Sequence, residues 1–233
     1  MGADPRQLDA IAGLYAVFAR YPQRSIEACP CCVSSEDLTR LARLPLRRLT
    51  ERHLSTYAVK ALTTWGDETD FKHFLPRLFE LALDNDSWPL DLDHLAIKLE
   101  YAEWRRWPEH ERAAVAELFA AAFTAAVDGD PAAPDTRDTV AILDRVDALD
   151  LDPAPLLDAT FETLRGRALT HLVRLCEKAL GLSRRKTPRW TTWLRGDALR
   201  AKVARAATAP TGADERKQLS YLAILLDMLR EGA

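Results

Sequence analysis

From Thr50 to Asp84 the apolar residues recur with the period of a helix, and polar residues fill the positions between them. Leu54, Tyr57, Ala58, Ala61, Leu62 and Trp65 occupy the i, i+3, i+4, i+7, i+8 and i+11 positions of one face. Gly66 then offers the conformational freedom with which helices commonly end. Asp67 or Thr69 can cap a second helix, whose face is Phe71, Phe74, Leu75, Leu78 and Ala82, widened by Phe79 and Leu81. Pro76 lies within that pattern, where a missing backbone donor costs about 3 kcal/mol. It predicts a kink, or a helix that starts near Leu75. Two antiparallel helices joined by a tight turn form an αα-hairpin that must stack on neighbours to bury both faces.

The same period runs through the rest of the chain. Asp4 and Pro5 open a helix to about Arg20 that carries Leu8, Ile11, Leu14, Tyr15 and Phe18. Ser34 or Ser35 starts a short helix through Leu38, Leu41 and Leu44, which Pro45 breaks. After a turn cluster at Asn85 to Pro89, a helix from about Asp91 carries Leu92, Leu95, Leu99 and Ala102, and the next spans about Glu109 to Val127. Asp128 to Pro134 reads as a linker. A helix with Val140, Leu143, Val146 and Leu149 follows, and then a long one that includes Leu157, Phe161 and Leu164 and ends at Gly181. Trp190 to about Ala207 is another, Thr208 to Gly212 a turn, and Leu219 to Leu229 line the last helix.

No stretch alternates like a strand. The Thr50–Asp84 and Leu92–Val127 pairs share length and layout, and the Pro, the Asp and the Leu-rich faces of the first pair resemble a HEAT-type repeat. The expectation is an all-α chain forming an α–α superhelix of HEAT-like hairpins, with an irregular globular helical bundle as the alternative. It would be a single domain, or two packed halves meeting near residues 128–134.

Composition narrows the function. A hydrophobic fraction of 48% excludes a disordered chain. A net charge of −3 and a pI near 6.0 argue against a protein held on nucleic acid or anionic membrane by bulk charge. The N-terminus lacks a charged-then-apolar leader, Arg6 misses the myristoylation pattern, and no uncharged run is longer than Leu118 to Val127. These features predict a soluble cytoplasmic protein with no membrane partner.

The most distinctive chemistry is Cys29-Pro30-Cys31-Cys32. Cys29 and Cys32 have the C-x-x-C spacing that lets two thiolates reach one metal or each other, and Cys31 adds a third. A closed zinc site needs a fourth ligand, for which His53, His73 and Cys176 are the candidates. A redox role is the second reading, because a helix starts just after the loop and its N-terminus lowers thiol pKa values. The third is that the cysteines are small apolar groups packed on the hairpin. Cys176, beside Leu172 and Ala179 on an apolar face, reads as core.

A basic stretch carries Arg184, Arg185, Lys186, Arg189, Arg195, Arg200, Lys202 and Arg205 against a single acid, Asp197, with Trp190 and Trp193 interleaved. Such a mixture can bind phosphate and stack on a base. The competing reading is a solvated face whose tryptophans fill core and whose arginines pair with the acidic stretch Asp128 to Asp158. Helical-repeat glycosylases for alkylated bases offer a fold-level analogy only. Glu100 and Glu103 share a helix face, but their neighbours Arg105 and Arg106 favour salt bridges over a paired-carboxylate site. Asp70, His73 and Arg77 also share a side of the hairpin, where a lone His is more often structural than a base. No Gly-rich phosphate loop, Gly-x-Ser-x-Gly elbow or His-Glu-x-x-His occurs.

Cys-x-Cys-Cys, Pro45-Leu46-Arg47-x-Leu49, Tyr57, the run Lys60 to Asp67 and the run Asp70 to Arg77 resemble a family of uncharacterised bacterial helical proteins over Tyr21 to Leu83. The resemblance implies that cysteine cluster and hairpin occur together, and it carries over no catalytic residue. The leading expectation is a non-enzymatic interaction protein that binds another protein through stacked helices. The alternatives are a thiol- or zinc-dependent protein and a nucleic-acid-binding or base-excision protein.

Overall fold

A computed structural model of the chain describes residues 4–84, 89–130, 138–182, 187–209 and 212–231. Residues 85–88, 131–137, 183–186 and 210–211 lie outside them, and with them most of the turn expected at Asn85 to Pro89, part of the linker expected at Asp128 to Pro134, part of the turn expected at Thr208 to Gly212, and Arg184, Arg185 and Lys186. The chain is all-α. Among the described residues it forms twelve α-helices and two 3₁₀ turns, and no strand. No helix is long and apolar enough to cross a membrane, among the described residues. Two compact units divide at Ala121 and Ala122.

The first unit contains α1 (Pro5–Phe18), α2 (Ser35–Ala42), α3 (Glu51–Lys60), α4 (Glu68–Asp84), α5 (Leu92–Tyr101) and most of α6 (Glu109–Asp128). Its centre is α4, against which α1 and α5 pack. Phe71, Leu75, Leu78 and Phe79 are fully buried. That burial explains why α4 continues through Pro76 and does not start near Leu75. A buried apolar side chain contributes about 1.5–3 kcal/mol, so several together exceed the loss of one helical hydrogen bond. Caps fix the helix starts: Asp4 accepts from the Arg6 N–H (2.8 Å), and Asp91 from the His94 N–H (2.6 Å).

α3 is shorter than its apolar pattern. It stops at Lys60, and Leu62 adopts a left-handed conformation (φ 68°). Ala61 and Trp65 are still buried, but from a turn. The carbonyls at the end of α3 are taken up by α5: His94 Nε2 lies 3.0 Å from the Ala58 carbonyl, and the buried Lys98 ammonium donates to those of Val59 (2.6 Å) and Ala61 (2.9 Å). An ammonium there also complements the negative end of the helix dipole.

The second unit contains α7 (Thr139–Ala148), α8 (Pro153–Thr160), α9 (Gly166–Leu180), α10 (Arg189–Leu194), α11 (Asp197–Thr208) and α12 (Ala213–Glu231). α12 packs on α9 and α11, and α10 packs on α7 and α8. The long helix expected through Phe161 is two helices, α8 and α9, separated by residues 161–165, with Gly166 (φ 51°) opening the second. The one expected from Trp190 is α10 and α11, separated at Arg195 and Gly196.

Candidate functional site

The cysteine loop is built onto the turn between α3 and α4. The Cys29 N–H donates to the Thr64 carbonyl (2.9 Å) and the Gly66 N–H to the Glu27 carbonyl (2.8 Å), which aligns Ala28 antiparallel to Trp65 in an isolated bridge. Gly66 sits at φ 73°, and a Cβ there would stand 2.9 Å from the Cβ of Asp70. Only glycine accepts both the conformation and the close approach. Arg24, just before the loop, donates to Asp70 (2.8 Å) and to Asp67, and these two carboxylates each cap the other's backbone N–H at the start of α4.

Within the loop the chain turns tightly. The N–H groups of Cys32 and Val33 both donate to the Cys29 carbonyl at 3.0 Å. The buried Val33 side chain anchors the far end, and the Lys60 ammonium donates to the Cys32 carbonyl. Ser34 then caps α2 through the Asp37 N–H at 3.1 Å.

This turn brings the three thiols together. Cys29 Sγ lies 2.7 Å from Cys31 Sγ, which lies 3.5 Å from Cys32 Sγ, and all three sulfurs fall within 4.8 Å of one another. All are free thiols; Cys31 is exposed, and Cys29 and Cys32 are half-buried. The Cys31 thiol and the backbone N–H groups of Cys31 and Cys32 hold the Cys29 thiol below its ordinary pKa. The same hydrogen bonds, to Cys29 and then Cys32, push Cys31 up to about 11. Cys29 is therefore the first of this pair to ionise as pH rises, with Cys31 as its donor.

The two histidines offered by the sequence lie outside this group. His53 Nδ1 accepts from the Thr50 N–H (3.0 Å) as the far half of a capping box at the start of α3. His73 Nδ1 donates to the Tyr21 carbonyl (2.7 Å), and its Nε2 is buried with no hydrogen-bond partner among the described residues. Cys176 is fully buried on α9, where burial pushes its thiol up to about 12. Lys60, Thr64 and Lys98, which hold the loop or the turn beneath it, carry no pattern that separates them from ordinary helix-face residues. Gly66 was visible only as a helix terminator.

Where the basic stretch is described, its tryptophans pair with acids of the second unit while Arg189 and Arg205 stay exposed. Trp190 is fully buried and its indole N–H donates to Asp144 (3.0 Å), so it presents no face to a base. The Trp193 N–H donates to Asp158 (2.8 Å), with the ring 5.9 Å from that of Phe161. Arg189 reaches Asp147 (2.8 Å) and Asp150 (3.0 Å). Glu100 and Glu103 are paired with Arg105 and Arg106.

Compared with known proteins, the chain matches no family model, no curated protein and no solved structure.

Proposed function

We propose that the chain is a metal-binding helical protein in which Cys29, Cys31 and Cys32 hold a thiophilic cation, with zinc the leading candidate. The observation that carries this reading is the convergence of three thiol sulfurs within 4.8 Å on one surface turn. A tetrahedral zinc about 2.3 Å from each sulfur places its sulfurs about 3.8 Å apart. The Cys29–Cys31 separation of 2.7 Å has to widen by about 1 Å and the Cys31–Cys32 separation of 3.5 Å by a few tenths, and the side chains concerned are wholly or partly open to solvent. Three protein thiolates leave one position for water, a small thiol or a side chain of a partner. That open position suits a site that exchanges metal or docks a partner, and the helical body around it suits an interaction protein. Packing explains these cysteines poorly, since the packed cysteine of this chain, Cys176, is sealed in core and they are not.

The test is titration of the reduced protein with zinc and with cobalt(II). One equivalent should bind, with thiolate-to-cobalt charge-transfer absorption, and each Cys→Ser change in the loop should weaken binding at least tenfold. Equal affinity in the triple Cys→Ser variant would remove the proposal.

Redox chemistry is the second reading, favoured by the lowered Cys29 thiol with Cys31 beside it as donor. It predicts that hydroperoxide, consuming two loop thiols, leaves a Cys29 disulfide that zinc prevents. Mass mapping of the oxidised protein decides it.

A further inference from the structure

The exposed face of α12 is apolar at its centre and oppositely charged at its two ends. Ile224 is 56% exposed, Tyr221 44% and Met228 50%, and all three share one side of the helix. The Tyr221 ring is held in place by its hydroxyl, which donates to Glu177 of α9 at 3.0 Å. Seven residues before Ile224 on the same face stands Lys217, and seven after it stands Glu231. Both are exposed, and neither has an ion pair with another described residue. The next acid, Asp227, is already held by Arg200 of α11. On the N-terminal half of this face Arg216, Lys217, Ser220, Tyr221 and Ile224 line a shallow groove.

We infer that this face of α12 binds a second copy of the same chain, with the two α12 helices antiparallel about a two-fold axis at Ile224. The argument is self-complementarity. A two-fold axis brings a surface onto itself, so residue and partner must match in both directions. With the axis at Ile224, each residue meets the one equally far on the other side. Lys217 of one copy then faces the partner's Glu231, twice over. Tyr221 of each copy packs beside the partner's Met228, and the two Ile224 side chains meet at the centre. A parallel arrangement would put Lys217 on Lys217, which is unfavourable. α12 is 19 residues, about 28 Å long. One face of that length is at the small end of specific interfaces, so a dissociation constant in the micromolar range is expected.

Sedimentation velocity of the full reduced chain across a concentration series tests this. The parent should pass from monomer to dimer as concentration rises, and Ile224→Glu should weaken the dimer at least tenfold with unchanged circular dichroism. Lys217→Glu and Glu231→Lys should each weaken it about tenfold, and the two together should return it to within about threefold of the parent. Should Ile224→Glu misfold, the two surface-charge variants decide alone. A parent that stays monomeric throughout, a dimer indifferent to Ile224→Glu, or a double charge swap no better than the singles would overturn the inference. None of these results depends on the thiol site.

Discussion

Replacing Glu111 with leucine should destabilise the first unit by about 3 kcal/mol. The Glu111 carboxylate on α6 is fully buried. It accepts from the Tyr21 hydroxyl at 2.6 Å and stands 2.9 Å from the Lys72 ammonium of α4, itself almost fully buried. Removing one member of such a pair strands the other charge, at about 3–5 kcal/mol. Lys72 would not be wholly stranded. Glu68 remains 2.7 Å away, half-exposed, and the Trp107 ring lies 4.3 Å from the ammonium, so the low end of the range applies. Lys72→Met should cost more, about 4 kcal/mol, because the buried carboxylate keeps only a hydroxyl donor. The double change Lys72→Met with Glu111→Leu should cost less than either single change, since no charge remains stranded. The assay is urea unfolding followed by circular dichroism and tryptophan fluorescence. Burial lowers the Lys72 pKa, but Glu68 and Glu111 more than offset it and the net shift is upward from 10.5. The contribution of the ammonium is therefore complete below about pH 10.5 and is lost as pH rises through the higher folded value. A Glu111→Leu protein within about 0.5 kcal/mol of the parent, or a double variant as damaged as the sum of the singles, would refute the reasoning.

Gly66→Ala should cost about 2 kcal/mol, from the left-handed backbone and the contact with Asp70, and should weaken zinc binding by displacing Glu27 to Cys29; unchanged unfolding and affinity would contradict the loop geometry. Lys98→Met should cost about 2–3 kcal/mol by stranding two carbonyls at the end of α3, measurable by the same urea curves. Thiol titration of the metal-free protein should find three groups under native conditions and the fourth, Cys176, only on unfolding; rapid reaction of all four would contradict its burial. Zinc affinity should rise by at least about tenfold per pH unit between pH 6 and 8, because Cys31, pushed up to about 11, must lose its proton to bind. Isothermal titration across that range checks this.

Much of the fold was legible because the hydrophobic pattern reports burial. Leu54, Tyr57, Ala58, Ala61 and Trp65 are all at most 1% exposed. The pattern does not report backbone conformation, and so it carried the first helix five residues too far: Ala61 and Trp65 are buried from a turn. Of the two outcomes expected at Pro76, a helix start near Leu75 does not occur, since that local penalty is overridden by the burial of α4. In the site, the short spacing alone dictates that Cys29, Cys31 and Cys32 share a loop. The spacing of Thr50 and His53 already places that imidazole within reach of a local backbone N–H, whereas the partner of His73, the Tyr21 carbonyl, is distant in sequence and is supplied only by the fold. For the basic stretch the charge balance pointed to the acids between Asp128 and Asp158, and Arg189, Trp190 and Trp193 do meet them, although the individual partners lie more than thirty residues away and only the fold selects them.

The central claim is tested most directly by zinc content of the untagged, reduced protein, measured with thiol reactivity before and after a chelator. About one zinc per chain, with the loop thiols protected until the chelator is added, is the predicted result. A protein that takes up no zinc when offered an excess, and whose Cys29, Cys31 and Cys32 react at once regardless, would contradict it.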